Sequence, residues 1–333
     1  MSATIGVQMP DQAAAADEPV NLLLASDEEG LAEECRAISE RIVIYTRADL
    51  DSRPELLKAI EVVYGWLPPA EWPQASRLRW VQITGAGVDS RLTPEVRAST
   101  AMLTNASGIH AEPITEHMFG MLLAYNRRLC AARDRQREGR WDGSGLGGDI
   151  PILEGKTLGL LGLGAIGTHS ARVGRAFGMR VIGLRRTAAA HPDVDRVFGP
   201  ENLFDFLSES DVVMNSLPLT SETRNMIDRR EFAAMREGAV LINTGRGGTI
   251  NTVALVDALQ RGRPAAALLD VTAPEPLPAG HPLWKMENVM ITPHYSGSHA
   301  NYSARAARIF LDNLRRYLQG QPLRNVVDKE AGY

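Results

Sequence analysis

Short runs of Val, Ile and Leu, apolar on both faces, recur along the chain between stretches in which apolar residues return every three or four positions. NLLLA (21–25), RIVIY (41–45), EVVYGWL (61–67), RWVQIT (79–84) and AMLTN (101–105) make a first set. TLGLLGLG (157–164), RVIGL (180–184), DVVMNSL (211–217), AVLINT (239–244), AAALLD (265–270) and NVMITP (288–293) make a second. Such runs, separated by helices, read as parallel strands, so the pattern predicts an α/β protein with at least two sheets. Between the sets, Met118, Met121, Leu122, Tyr125 and Leu129 predict a helix, followed by the basic stretch 126–141, read as a solvated helix face, and by GSGLGG at 143–148. Near the C-terminus Ala307, Phe310, Leu311, Leu314 and Leu318 form one stripe, with Arg308, Asp312, Arg315 and Arg316 opposite. A helix so divided needs a surface to dock against.

Composition narrows the class. At about 150 residues per domain, a chain of 333 residues predicts two domains. An apolar content of 44% with 23% charged residues excludes global disorder, collagen and coiled coil. A net charge of −4 and 6% aromatic residues offer nothing to a nucleic acid. Cys35 and Cys130 lie far apart, and no basic region precedes an apolar run at the N-terminus, so a reduced, cytoplasmic compartment is expected. No run approaches the roughly 18 apolar residues that cross a bilayer, and no metal ligand set is predicted. Residues 1–19, with an alanine run between Pro10 and Pro19, read as a flexible lead-in.

Glycine is slightly enriched, at 30 residues. At that frequency a GxGxxG spacing arises by chance in about one chain in four, so context decides its meaning. This chain carries it twice. Gly143, Gly145 and Gly148 follow no strand and open no helix, and read as a flexible surface loop. Gly162, Gly164 and Gly167 follow the strand TLGLL and open a helix whose expected apolar face is Ile166, Val173, Ala176 and Phe177. There the glycines serve a tight turn, a close approach to a pyrophosphate and helix-on-strand packing, and the helix N-terminus favours the negative charge. A carboxylate for the ribose hydroxyls of NAD is expected about 20 residues on. That region carries Arg185, Arg186 and Thr187 instead, suited to a 2′-phosphate. NADP(H) is therefore the expected preferred cofactor, with NAD(H) as the alternative.

Three polar residues follow strand-like runs in the second half: Arg246 after AVLINTG, Glu275 after AAALLD and His294 after NVMITP. Ligands bind at such positions in open α/β sheets. Together they supply a cation to polarise a carbonyl, an imidazolium to protonate the nascent alkoxide and a carboxylate to support the imidazolium, which is what reduction of a 2-oxo acid requires.

The strings GAGVD (85–89), GLGAIG (162–167), SLPLTSET (216–223), INTGRGG (242–248), LLDVTAPEPLP (268–278) and TPHYSG (292–297) give the chain a resemblance to the D-isomer-specific 2-hydroxyacid dehydrogenases. The resemblance implies two doubly wound parallel-sheet domains, a Rossmann cofactor domain (109–297) inserted into a flavodoxin-like substrate domain (1–108 and 298–333). The helix at 304–318 would then dock on residues 20–105. Arg246, Glu275 and His294 become the catalytic set. Cofactor contacts extend to Ala165, Ile166, Leu217, Pro218, Thr223, Thr244, Gly245 and Gly297, with Asp270 on the nicotinamide carboxamide. Backbone at Ala86, Gly87 and Val88 would receive the substrate carboxylate, with Trp66 and Leu67 as pocket walls. A homodimer is implied, in which Trp141 approaches the neighbouring subunit. The activity so implied is reduction of glyoxylate- or hydroxypyruvate-type 2-oxo acids to D-2-hydroxy acids. A broader 2-oxo acid reductase, a short phosphoglycerate dehydrogenase and, from another class, a nucleotide-sensing corepressor-like scaffold are the alternatives. Glu275 stands where formate dehydrogenases of the superfamily carry Gln.

Overall fold

Strands rich in leucine and β-branched residues build two all-parallel sheets in the computed structural model, which describes residues 18–26, 28–148 and 150–332. Residues 1–17 of the expected lead-in lie outside the described residues. The chain divides into two units, one holding the chain up to Ile109 and from Ala300 onward, the other His110–His299.

In the first unit β1 (Val20–Leu24), β2 (Ile42–Thr46), β3 (Val62–Tyr64), β4 (Trp80–Gln82) and β5 (Met102–Thr104) pair in the order β2-β1-β3-β4-β5. The C-terminal helix Tyr302–Leu318 buries Phe310, Leu314 and Tyr317 against Val20, Leu22, Tyr64 and Trp80, which gives the amphipathic stripe the surface it needs. The Tyr64 and Phe310 rings lie 4.6 Å apart. On the sheet's other face Leu23, Val63 and Val81 pack with Leu57, Ile60 and Trp72. The edge of β5 is covered by the chain's end: Val326 bridges Thr104 antiparallel, and the Val327 amide donates to Leu103 O at 2.8 Å.

In the second unit β6 (Thr157–Leu161), β7 (Arg180–Leu184), β8 (Arg196–Phe198), β9 (Val212–Asn215), β10 (Val240–Asn243), β11 (Ala266–Leu269) and β12 (Val289–Ile291) pair in the order β12-β11-β10-β9-β6-β7-β8. The order reverses between β6 and β9, the switch point where doubly wound sheets open a crevice beyond the strand ends. β8 is absent from the sequence pattern because Asp195 and Arg196 break the apolar run there, leaving only Val197 and Phe198.

Two expected helix features differ. The predicted helix through Leu129 is broken into Ala111–Asn126 and Leu129–Arg137 by Arg128, whose φ of 53° is left-handed. Leu129 therefore leaves the apolar face and is 53% exposed. In the glycine helix Ala165–Ala176 the buried residues are Gly167, Ser170, Ala171 and Gly174. Ile166 and Val173 are only half-buried, Ala176 is exposed, and Phe177 is 38% exposed beside Phe119. Small residues face inward because the helix packs close, which a hydrophobicity pattern does not register.

Candidate functional site

The residues around β6 decide whether a dinucleotide fits. Gly162 turns the chain at φ 98°, a conformation that side chains oppose. A Cβ on Gly167 would lie 2.0 Å from the Gly162 carbonyl oxygen, so the helix sits directly on the turn. At Gly164 a Cβ would meet nothing within 4 Å, and no side chain caps the helix that starts there. The backbone amides of that first turn, at Ala165 and Ile166, are therefore presented to open space, as a pyrophosphate site requires. Thr244, after β10, has a buried hydroxyl with no hydrogen-bond partner, a polar group that a bound ligand would satisfy. Leu217, Pro218 and Thr223 lie on one self-tied loop after β9, where the Thr223 hydroxyl donates to Pro218 O at 2.6 Å. This set fits a nicotinamide dinucleotide. Beyond β7 the Arg185 guanidinium donates to Thr187 O at 2.8 Å and Ala189 O at 2.7 Å, shaping a short loop whose Arg186 and Thr187 are exposed.

The three expected catalytic residues all follow strands of the same sheet. Arg246 leaves β10 with its Nη1 donating to Gly245 O at 2.8 Å. Behind it, a Cβ on Gly247 would lie 1.9 Å from Thr272 O, so only glycine lets the Arg246 loop close onto the segment that leads to Glu275. Glu275 Oε1 is 2.5 Å from His294 Nδ1, and its Oε2 accepts from the Thr272 amide at 3.4 Å. The pair is partly exposed, at 47% for His294 and 41% for Glu275, so a ligand has access to it. His294 itself is left-handed, at φ 51°, with its amide donating to Asp270 O at 2.9 Å. Strain at a non-glycine residue persists only where the surroundings hold it, and it concentrates at functional positions.

Asp270 does the holding. Its oxygens accept from the Thr292 hydroxyl at 2.6 Å and from the amides of Tyr295 and Ser296 at 3.2 and 3.0 Å. Burial alone would raise the carboxyl, but these donors outweigh it and keep it below the usual carboxylate range. The side chain has no accessible surface, and through these donors Asp270 anchors the 292–296 turn. The sequence reading missed His117, whose Nε2 lies 2.9 Å from Thr292 Oγ1 and 3.7 Å from Asp270 Oδ1. Burial pulls that imidazole below its ordinary value, and the Asp270 charge offsets it only in part. The available signal was a lone imidazole between Ile114 and Met118 on a largely apolar helix. Gly297 holds His110, with Nδ1 at 3.3 Å from its carbonyl oxygen. Among the described residues, no group of three or more His, Cys, Asp or Glu could hold a metal ion.

In the first unit Ala86, Gly87 and Val88 lie on the loop after β4; Gly87 is exposed and Val88 buried. Leu67 is fully buried in the core, its carbonyl accepting from Trp72 Nε1 at 2.9 Å, so it is no pocket wall. Trp66 is half-buried beneath the Arg91 guanidinium, 4.6 Å from the ring centroid.

Comparison with known proteins bears on the family and the fold. The family profile described as "D-isomer specific 2-hydroxyacid dehydrogenase, NAD binding domain" matches residues 119–296. A glyoxylate reductase of Aeropyrum pernix is 38% identical over 268 residues, which is 78% of this chain and 78% of that protein. Among solved structures, a D-isomer specific 2-hydroxyacid dehydrogenase of Xanthobacter autotrophicus, in complex with NADPH and MES, is 29% identical with a TM-score of 0.80, covering 95% of this chain and 100% of that one. An NADPH-dependent glyoxylate/hydroxypyruvate reductase of Sinorhizobium meliloti, in complex with NADP and sulfate, is 28% identical with a TM-score of 0.79 over the same shares.

Proposed function

The chain belongs to the D-isomer-specific 2-hydroxyacid dehydrogenase family and is an oxidoreductase of it, and from that premise we propose that it reduces small 2-oxo acids of the glyoxylate and hydroxypyruvate type to D-2-hydroxy acids, with NADPH preferred over NADH. The observation that carries the reading is the 2.5 Å pairing of His294 with Glu275 on loops of the same sheet as Arg246. By accepting a hydrogen bond from Nδ1–H, Glu275 fixes the ring so that Nε2 is the end that gives a proton to the substrate oxygen. Arg246 polarises the carbonyl and stabilises the charge that develops on it. The nicotinamide, when bound, supplies the hydride. Backbone amides at Gly87 and Val88 receive the substrate carboxylate, and Trp66 bounds its side chain.

The preference for NADPH rests on Arg185, Arg186 and Thr187, where a ribose carboxylate is absent. The NADPH and NADP complexes of the solved relatives support it. The same proposal includes a homodimer, supported by the fully exposed indole of Trp141 on the segment after Leu129–Arg137. It also includes a cytoplasmic setting. Cys35 is a buried and Cys130 an exposed free thiol, and burial pushes the Cys35 thiol up to about 12. No helix among the described residues is long and apolar enough to cross a membrane.

Initial rates of NADPH and NADH consumption across a panel of 2-oxo acids test the reading. Turnover of glyoxylate or hydroxypyruvate, faster with NADPH, is expected. Nucleotide binding without turnover of any 2-oxo acid would overturn it in favour of the scaffold.

A further inference from the structure

The loop after β4 is held by its carbonyls. Thr84 O accepts from the Tyr302 hydroxyl at 3.0 Å, Gly85 O from the Ala106 amide at 2.9 Å, and Ala86 O from Asn105 Nδ2 at 2.8 Å. In a trans peptide the C=O of one residue and the N–H of the next point in opposite directions. Fixing the Thr84, Gly85 and Ala86 carbonyls therefore turns the amides that share their peptides, those of Gly85, Ala86 and Gly87, each away from its own carbonyl's partner. Among the described residues these three amides donate to nothing. Asn105 is itself locked. Its Oδ1 accepts from the Ser107 amide at 3.0 Å, which leaves Nδ2 facing Ala86, and its main-chain amide donates to Asn325 O at 3.1 Å.

Resting on the function proposed above, we propose that Asn105 and Tyr302 are positioning residues for the substrate carboxylate: by pinning the Ala86 and Thr84 carbonyls they hold open a row of backbone donors. They touch no reacting atom. Their contribution is preorganisation, so their loss weakens recognition of a carboxylate and leaves nucleotide binding and the chemical step intact.

The test compares Tyr302→Phe, which removes one hydroxyl, with Asn105→Ala. Oxamate serves as an unreactive 2-oxo acid mimic, and methylglyoxal as a carbonyl substrate without a carboxylate. Each variant is expected to raise the oxamate Kd and the glyoxylate KM by about tenfold, the loss of roughly one hydrogen bond's worth of preorganisation. The kcat, the NADPH affinity, methylglyoxal reduction and the thermal midpoint of Tyr302→Phe should stay at wild-type values. Equal losses with glyoxylate and methylglyoxal, or a parallel loss of NADPH affinity, would show a merely structural role and overturn the proposal, as would an unchanged oxamate Kd in Tyr302→Phe. Wild-type protein that binds oxamate, with weaker binding in both variants, but reduces no 2-oxo acid would support the loop assignment while overturning the reductase reading.

Discussion

Two segments of the second unit carry glycines at the same spacing, 143–148 and 162–167, and nothing around them is alike. The first follows a helix and a basic stretch. Its backbone is gathered by Arg128, which donates to the carbonyls of Gly145 and Gly147, and by Arg135, which reaches Asp142 O at 2.8 Å and Ser144 O at 2.7 Å. A Cβ would meet nothing within 4 Å at Gly143, Gly147 or Gly148. The second is wedged between a strand and a helix, with Gly167 against the Gly162 carbonyl. In the first segment arginine side chains hold the carbonyls of a loop; in the second, the glycines join a strand to the N-terminus of a helix. The spacing is common, and the strand and helix around it give it meaning.

Substitutions in matched pairs put this contrast under strain. The largest effect is expected for Gly167→Ala, whose Cβ meets backbone: a loss on the order of 3 kcal/mol of stability, with weakened NADPH binding. Gly147→Ala should stay within about 0.5 kcal/mol of wild type in denaturant unfolding. Equal behaviour of the two would erase the distinction.

A smaller effect is expected at the arginines. Arg185→Ala should weaken NADPH by about tenfold in a fluorescence titration and leave NADH unchanged, the loss of one charge-assisted phosphate contact. Arg135→Ala should alter neither. Unchanged NADPH affinity in Arg185→Ala would leave Arg185 as a clamp on its own loop.

The smallest effect is expected for Trp141→Ala: a shift of about two- to fivefold in the ratio of kcat/KM for glyoxylate over a larger 2-oxo acid, at constant thermal midpoint. An unchanged ratio would detach the arm from the substrate.

What could be read from the sequence followed from how strongly each feature is encoded. Strands buried on both faces announce themselves, and eleven runs lie on the strands now seen. The edge strand β8 shows no such run, because Asp195 and Arg196 stand where the apolar residues would. The inward face of Ala165–Ala176 went unseen because Gly167, Ser170, Ala171 and Gly174 bury by being small. At the site, Arg246, Glu275 and His294 were legible through their motifs. The anchoring role of Asp270 was not, because it depends on donors from Thr292, Tyr295 and Ser296 and on a helix more than 140 residues earlier that brings His117 to Thr292. Leu67 looked like a wall beside Trp66, but neighbours in a chain emerging from a strand face opposite ways.

The central claim is that His294 delivers the proton in reduction of a 2-oxo acid. The direct measurement is NADPH consumption with glyoxylate by wild type and His294→Ala, alongside their NADPH affinities. The account predicts equal affinity and a rate lower by about 10²- to 10⁴-fold in the variant. Wild-type turnover in His294→Ala would contradict it.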